Sequence, residues 1–295
     1  VLLKKLIPLL NKFFPAAPNA RSSHKYIKPS SGGISFIFTY FIFTIFQGFF
    51  LPILSLPIAV IGIIDDRFNL SKLIRYTFQI LTILSINLVL MRNSNLYISK
   101  LIDSHFLYFI VLLFIGSVII NSINFMDGID GLISGSMIVI LGTLNINTNH
   151  NLIPLIGALS GFIILNWYPS KVFMGDSGSL FLGSYLTSIL FTSTSLIDVI
   201  KILLLCSPLL LDSLSCIIRR LLNGQNIFKS HKLHLYQRLV SNGLGHAKVA
   251  LIYILSILFL SIFYLYFDLF SLSLAVSIII IFGIFIDRKY AANFN

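Results

Sequence analysis

Long apolar runs, each closed by a short cluster of charged, Gly, Pro or Asn residues, recur along this 295-residue chain. They fall at roughly 33–50, 51–64, 73–91, 106–121, 131–146, 152–167, 179–196, 199–217, 247–267 and 271–286. A helix needs about 20 mostly apolar residues to cross a bilayer core, so the shorter runs must borrow their flanks. Backbone in hydrocarbon has no water to bond, and a helix satisfies it internally. The pattern therefore predicts an all-α, polytopic transmembrane helical bundle of about ten spans. It forms one membrane-embedded domain over residues 1–295, with a basic loop at 218–247 and no soluble domain. The amino end, VLLKKLIPLLNKFF, has its apolar stretch broken by Lys and Pro and no small-residue cleavage site after it. It reads as an amphipathic interfacial segment, not a signal peptide.

Composition agrees with this reading. The chain is 57% hydrophobic and 11% charged, where a soluble domain has about 25% charged residues. The net charge of +11 would suit nucleic acid, but the basic residues flank the apolar runs as topology signals do. With alternating spans, all of the 21 Lys and Arg except Arg92, Lys100 and Lys201 fall on one side. By the positive-inside rule that side is cytoplasmic, and residues 1–32 and the carboxyl end lie on it. All ten acids are Asp, and the same alternation places Asp65, Asp66, Asp127, Asp130 and Asp176 at that face. Cys206 and Cys216 share one run without metal-ligand spacing and read as small packing residues.

Four stretches carry candidate chemistry. In GIIDDRFNLS (62–71) the adjacent carboxylates of Asp65 and Asp66 repel, and Arg67 is the neighbouring cation; a solvated turn is the plainer reading. In NSINFMDGIDGL (121–132), Asn121, Asn124, Asp127 and Asp130 make one polar stripe if the helix continues, which suits a hydrated ligand site. In NWYPSKVFMGDSGSLFLG (166–183), Asp176 sits among small residues before a helix start. That arrangement suits carboxylate, divalent metal and phosphate together, and suits a simple helix cap equally. In RRLLNGQNIFKSHKLHLYQR (219–238), His231, His234 and Arg238 share a face if the segment is helical. It is either a clamp for phosphate or a basic loop drawn to anionic lipid. Asp212, inside an apolar run, is either functional or paired with Arg219. His105 and His150 are assigned no role.

Together with PNARSSHKYIKPSSGG, these motifs occur in an order that resembles the polyprenyl-phosphate N-acetylhexosamine-1-phosphate transferases of glycosyltransferase family 4. The resemblance runs from about Pro18 to about Arg238. It implies a multi-pass enzyme of the bacterial inner membrane with its active site at the cytoplasmic face. The implied reaction moves an amino-sugar 1-phosphate from a UDP-sugar to undecaprenyl phosphate and releases UMP, initiating a cell-envelope polysaccharide such as lipopolysaccharide. The implied cofactor is Mg²⁺, with Mn²⁺ as an alternative. Asp65 and Asp66 match the aspartate pair, the first of which is thought to deprotonate or orient the lipid phosphate. Asp127 and Asp130 match the motif near the nucleotide, Asp176 with Asp66 the metal ligands, and His234 a histidine of the last motif. Asn121, Asn124, Arg67, Lys171, His231, Arg238 and His24 are the expected substrate contacts, and a homodimer is a further expectation.

The chain departs from that family in places. His234 is followed by Leu235, Tyr236 and Gln237, not by more histidines. This resembles the O-antigen- and capsule-initiating branch more than the peptidoglycan translocase branch. Ala17 stands where an acid usually precedes Pro-Asn. The family has eleven helices, so the chain is expected to begin after the first. The rival class is a lipid-linked sugar flippase or ion-coupled transporter, which would need polar groups near the bilayer midplane. The acids here gather at helix ends, Asp212 excepted.

Overall fold

The computed structural model of the chain describes residues 2–17, 26–47, 51–91, 105–147, 151–193, 195–227, 229 and 231–294. The fold is all-α and polytopic. An amphipathic helix α1 (Leu2–Phe13) leads into a two-residue antiparallel pair, β1 (Pro15–Ala16) with β2 (Lys28–Pro29). Then follow α2 (Gly33–Gln47), a 3-10 turn (Leu51–Ser55), α3 (Leu56–Phe68), α4 (Lys72–Met91) and α5 (His105–Met126). The chain continues with α6 (Leu132–Asn147), α7 (Ile153–Asn166), α8 (Gly175–Phe191), α9 (Leu196–Leu205) and α10 (Ser207–Leu222). It closes with α11 (Leu235–Ser241), α12 (His246–Tyr266) and α13 (Leu269–Tyr290).

Each apolar run carries helix, and proline in the first turn of α3, α7 and α10 marks where a missing N–H costs nothing. Among the described residues α4, α5, α12 and α13 are each long and apolar enough to cross a bilayer, whereas α2, α6 and α7 are apolar but shorter. The run at 199–217 is not one rod. α9 and α10 meet at Cys206 with a 76° bend. Pro208 explains it: its ring clashes with the carbonyl four residues back, so the helix must stop and restart.

Helix α8 is the axis of the bundle. Every residue from Ser177 to Phe191 is buried, and α2, α3, α4 and α5 all pack on it. Its small residues let those helices close in, as packing between membrane helices requires. A side chain at Gly183 would run into the backbone of Ile120 on α5, and one at Gly62 into the backbone of Asp176 and Ser177. One turn after Gly62 comes Asp66, so the close approach of α3 to α8 delivers that carboxylate to the start of α8.

Candidate active site

The ends of three helices, α3, α4 and α5, and the β2–α2 link meet at the amino terminus of α8. The link is fixed by backbone bonds: Gly32 and Gly33 donate to Phe173 and Met174, and Phe173 donates to Pro29. This sets Ser30 and Ser31 beside Asp66. Ser31 Oγ donates to Asp66 Oδ2 at 2.5 Å and Ser30 Oγ to Oδ1 at 3.4 Å. The backbone N–H of Asp176 donates to Asp66 Oδ1 at 3.0 Å, so Asp66 caps α8 from another element. Gly175, at φ +76°, lets the chain turn into the helix there. Arg75, on the first turn of α4, bridges Asp65 at 2.8 Å and Asp176 at 3.2 Å. Asp65 also accepts from the N–H of Leu70 at 2.6 Å. From α5, Asn124 Nδ2 donates to Asp176 Oδ1 and Ser179 Oγ, both at 2.9 Å.

The carboxylates strain against one another. Burial pushes Asp176 up to about 7, Asp66 and Asp65 add to the rise, and Arg75 and Asn124 pull back. Burial raises Asp66 too, with Ser31 and the α8 amides offsetting part of it. Asp127, just past the end of α5, is held well above the usual carboxylate range by burial and by Asp176, Asp66 and Asp130. Carboxylate oxygens crowded in this way fit a hard divalent cation, which would relieve the repulsion that raises them. Asp66, Asp127 and Asp176 are the residues that could hold it.

The cluster forms one wall of a cavity of about 1070 Å³. Phe114, Val118, Leu180, Leu214 and Ile217 make an apolar wall, and Lys229, His231 and His234 stand on the side facing α10 and α11. His234 is the residue just before α11; its backbone N–H donates to Gln237 Oε1 at 3.3 Å. Burial works against its charge, but Asp212 and Cys216 outweigh it and lift the imidazole to about 9. Burial, with His234 and Arg220 beside it, holds His231 at about 4. Asp212 organises this corner. Its carboxylate accepts from the N–H of Leu235 at 2.7 Å, the N–H of Tyr236 at 3.1 Å and the hydroxyl of Tyr253 at 2.6 Å.

The structure thus brings Asp65, Asp66, Asn124 and Asp176 into direct contact and sets Asn121, His231 and His234 on the same cavity. It separates others. The helix ends at Met126, and the turn through Gly131 (φ +78°) sends Asp130 away from Asp127. Asp130 accepts from Ser170 N–H at 3.0 Å and Ser170 Oγ at 2.9 Å, with Lys28 and His246 close by. Arg67 lies over the rings of Phe13 and Phe68, outside the cluster. Lys171 is exposed. Residues 231–234 precede α11 and are not helical, so His231, His234 and Arg238 share no helical face; Arg238 is buried against Asp287 and the carbonyl of Ala292. Arg219 pairs with Asp287, not with Asp212. His24 lies outside the described residues. Sequence reasoning missed Arg75, Lys28, Ser170 and His246. A basic residue one turn into the helix after an aspartate pair was the available signal for Arg75.

The sequence profile described as glycosyl transferase family 4 matches residues 48–194. A probable undecaprenyl-phosphate N-acetylglucosaminyl 1-phosphate transferase of Bacillus subtilis (strain 168) is 30% identical over 268 residues, 82% of this chain and 74% of the relative. An undecaprenyl-phosphate alpha-N-acetylglucosaminyl 1-phosphate transferase of Escherichia coli O157:H7 is 30% identical over 259 residues, 77% of this chain and 69% of its own. A protein of the same name from Thermotoga maritima is 33% identical over 171 residues, 58% of this chain and 54% of its own.

Proposed function

This chain belongs to glycosyl transferase family 4, and on that premise we propose that it transfers an N-acetylhexosamine 1-phosphate from a UDP-sugar to undecaprenyl phosphate. UMP is released, and the lipid-linked sugar initiates a cell-envelope polysaccharide. We place the reaction at the cytoplasmic face of the bacterial inner membrane, in a chain that crosses about ten times.

The observation that carries this reading is the two-natured cavity. A cluster of carboxylates with Arg75 lies against an apolar wall of Phe114, Val118, Leu180, Leu214 and Ile217. Few ligands need both. A prenyl chain ending in phosphate does, and a nucleotide-sugar diphosphate needs the charged part. An oxygen of the lipid phosphate attacks the β-phosphorus of the donor, the bond to the bridging oxygen breaks, and UMP leaves. Both reactants are anions, so catalysis is mainly positioning and charge neutralisation. Arg75 offers its guanidinium where the two phosphates meet. Lys229 and His234 face the donor from the opposite side, and His234 carries the positive charge that Asp212 favours. Mg²⁺, or Mn²⁺ in its place, held by Asp66, Asp127 and Asp176, would supply the remaining neutralisation of phosphate charge. A carrier would keep polar groups near the midplane; the contacts around Asp212 make that buried acid a cap for α11 instead.

The test is direct. Purified protein is incubated with undecaprenyl phosphate and a panel of UDP-N-acetylhexosamines, with and without EDTA, and the lipid product is identified by mass. One donor is expected to give a sugar-diphospholipid and UMP, abolished by EDTA and restored by Mg²⁺. No product from any donor would refute the reading.

A further inference from the structure

A second group of ligand atoms, of different chemistry, includes two residues that line the same cavity as the carboxylates, His231 and His234. Cys216 is on α10, and His231 and His234 are on the segment between α10 and α11. Cys216 Sγ lies 3.9 Å from His231 Nδ1. The two imidazole rings are 5.1 Å apart between centroids. One ligand atom from each of the three residues lies within 4.8 Å of the other two.

The chemistry of this trio differs from that of the aspartates. A thiolate with two imidazoles suits a borderline-soft cation such as Zn²⁺, whereas Mg²⁺ prefers oxygen. Zinc bonds of about 2.0–2.3 Å in a tetrahedron hold ligand atoms roughly 3.3–3.8 Å apart. From the 4.8 Å limit the trio needs to close by about 1 Å at its widest. His234 is buried, and its Nδ1 has no hydrogen-bond partner among the described residues. Asp212 Oδ1 stands 3.7 Å from that nitrogen, in the place where a metal-bound histidine keeps a carboxylate behind it. Because His231 and His234 both line the cavity, a fourth coordination position would open toward the substrate.

We propose that Cys216, His231 and His234 form a zinc-class metal site, separate from the aspartate cluster, and that its occupation inhibits the enzyme by tying up His234. The cation replaces the protons of the Cys216 thiol and of His234, which pass to solvent. The binding half stands on geometry alone. The inhibitory half rests on the transferase reading.

The protein in detergent is titrated with Co²⁺, whose bond to a thiolate gives a near-ultraviolet charge-transfer band. The band is expected to saturate at one equivalent, to vanish when Zn²⁺ is added, to be absent in Cys216→Ser and Cys216→Ala, and to persist in Cys206→Ser. Monodispersity on size exclusion shows that the variants are folded. A band independent of Cys216, or no band in the folded wild type, overturns the site. In transfer assays at saturating Mg²⁺, Zn²⁺ buffered at micromolar free concentration is expected to inhibit the wild type. Cys216→Ser, with each protein's rate taken relative to its own zinc-free rate, should need about tenfold more or higher. Equal sensitivity of the two overturns the inhibitory half and leaves the cobalt result to decide the site. A protein inactive with every donor refutes the transferase reading, while the cobalt band still reports on the metal site.

Discussion

Asp127 and Asp130 stand three positions apart, yet the turn between them sends their carboxylates to different neighbours. Asp130 joins the α5–α6 turn to the 167–174 loop through Ser170. Its replacement by Asn loses one charged acceptor in a buried site, at a cost of about 1–3 kcal/mol, so Asp130→Asn is expected to melt earlier in detergent. Asp127 makes no such bonds among the described residues and feels Asp176 and Asp66 instead. Asp127→Asn is expected to keep its melting temperature and lose roughly 10²–10³ in turnover. The reverse pattern would exchange their roles. The spacing in NSINFMDGIDGL hid this split, because its polar stripe exists only if the helix continues past Met126, where α5 ends. Gly128 and Gly131 were the sign that it does not. Arg67 misled for a similar reason. Residues one or two apart on a helix do not face each other, so the cation adjacent to the Asp65–Asp66 pair points away, and Arg75, ten residues after Asp65, bridges Asp65 and Asp176.

At the scale of elements, the site depends on how closely α3 meets α8. Gly62→Val would push a side chain into the backbone of Asp176 and Ser177. Overpacking of that kind costs roughly 1–3 kcal/mol, and it would also lift Asp66 off the start of α8. Gly62→Val is therefore expected to lower thermal stability and cut turnover by about 10²-fold, since small misplacements of reacting groups cost that much. Unchanged activity would show that the contact between α3 and α8 does not set the geometry. Asp212 offers a second case. Asn in its place keeps one good acceptor for three donors, so the amino end of α11 should loosen, by about 1–3 kcal/mol. Faster hydrogen exchange at 231–237 in Asp212→Asn would register it. The helices themselves were legible because ten apolar runs leave the backbone little choice. The break at Cys206 was not read from 199–217, although Pro208 was there to mark it. The cap that Asp212 gives α11 was invisible for a better reason: its donors lie 23 to 41 residues away along the chain.

At the scale of the whole molecule, the bundle gathers helix ends from both halves of the chain around one cavity that has a charged wall and an apolar one. The alternation of apolar runs puts five aspartates on the side rich in Lys and Arg, and the structure sets three of them, Asp65, Asp66 and Asp176, on that cavity. Which carboxylate touches which group was not legible in the sequence, because those pairings join residues up to 111 positions apart. The arrangement bears on how transfer occurs. The reaction exchanges one phosphoanhydride for another, so its equilibrium constant should lie near one and the enzyme should run backwards from UMP and lipid product. Radiolabelled UMP then enters UDP-sugar by one of two routes. A covalent sugar-phosphate on an aspartate would allow exchange without lipid; direct attack by the lipid phosphate would not. Asp65 is held by Arg75 and Leu70, and Asp66 by Ser30, Ser31 and the amide of Asp176. Oxygens committed to so many donors are poor nucleophiles and good anchors. Exchange is accordingly expected only when undecaprenyl phosphate is present, and Asp176→Asn is expected to abolish it. Asp103 lies outside the described residues and the alternation of runs puts it on the opposite side, so Asp103→Asn should leave exchange intact. Lipid-free exchange would reverse the conclusion and point to Asp127, the carboxylate of the cluster with no donor holding it among the described residues, as the group that attacks phosphorus.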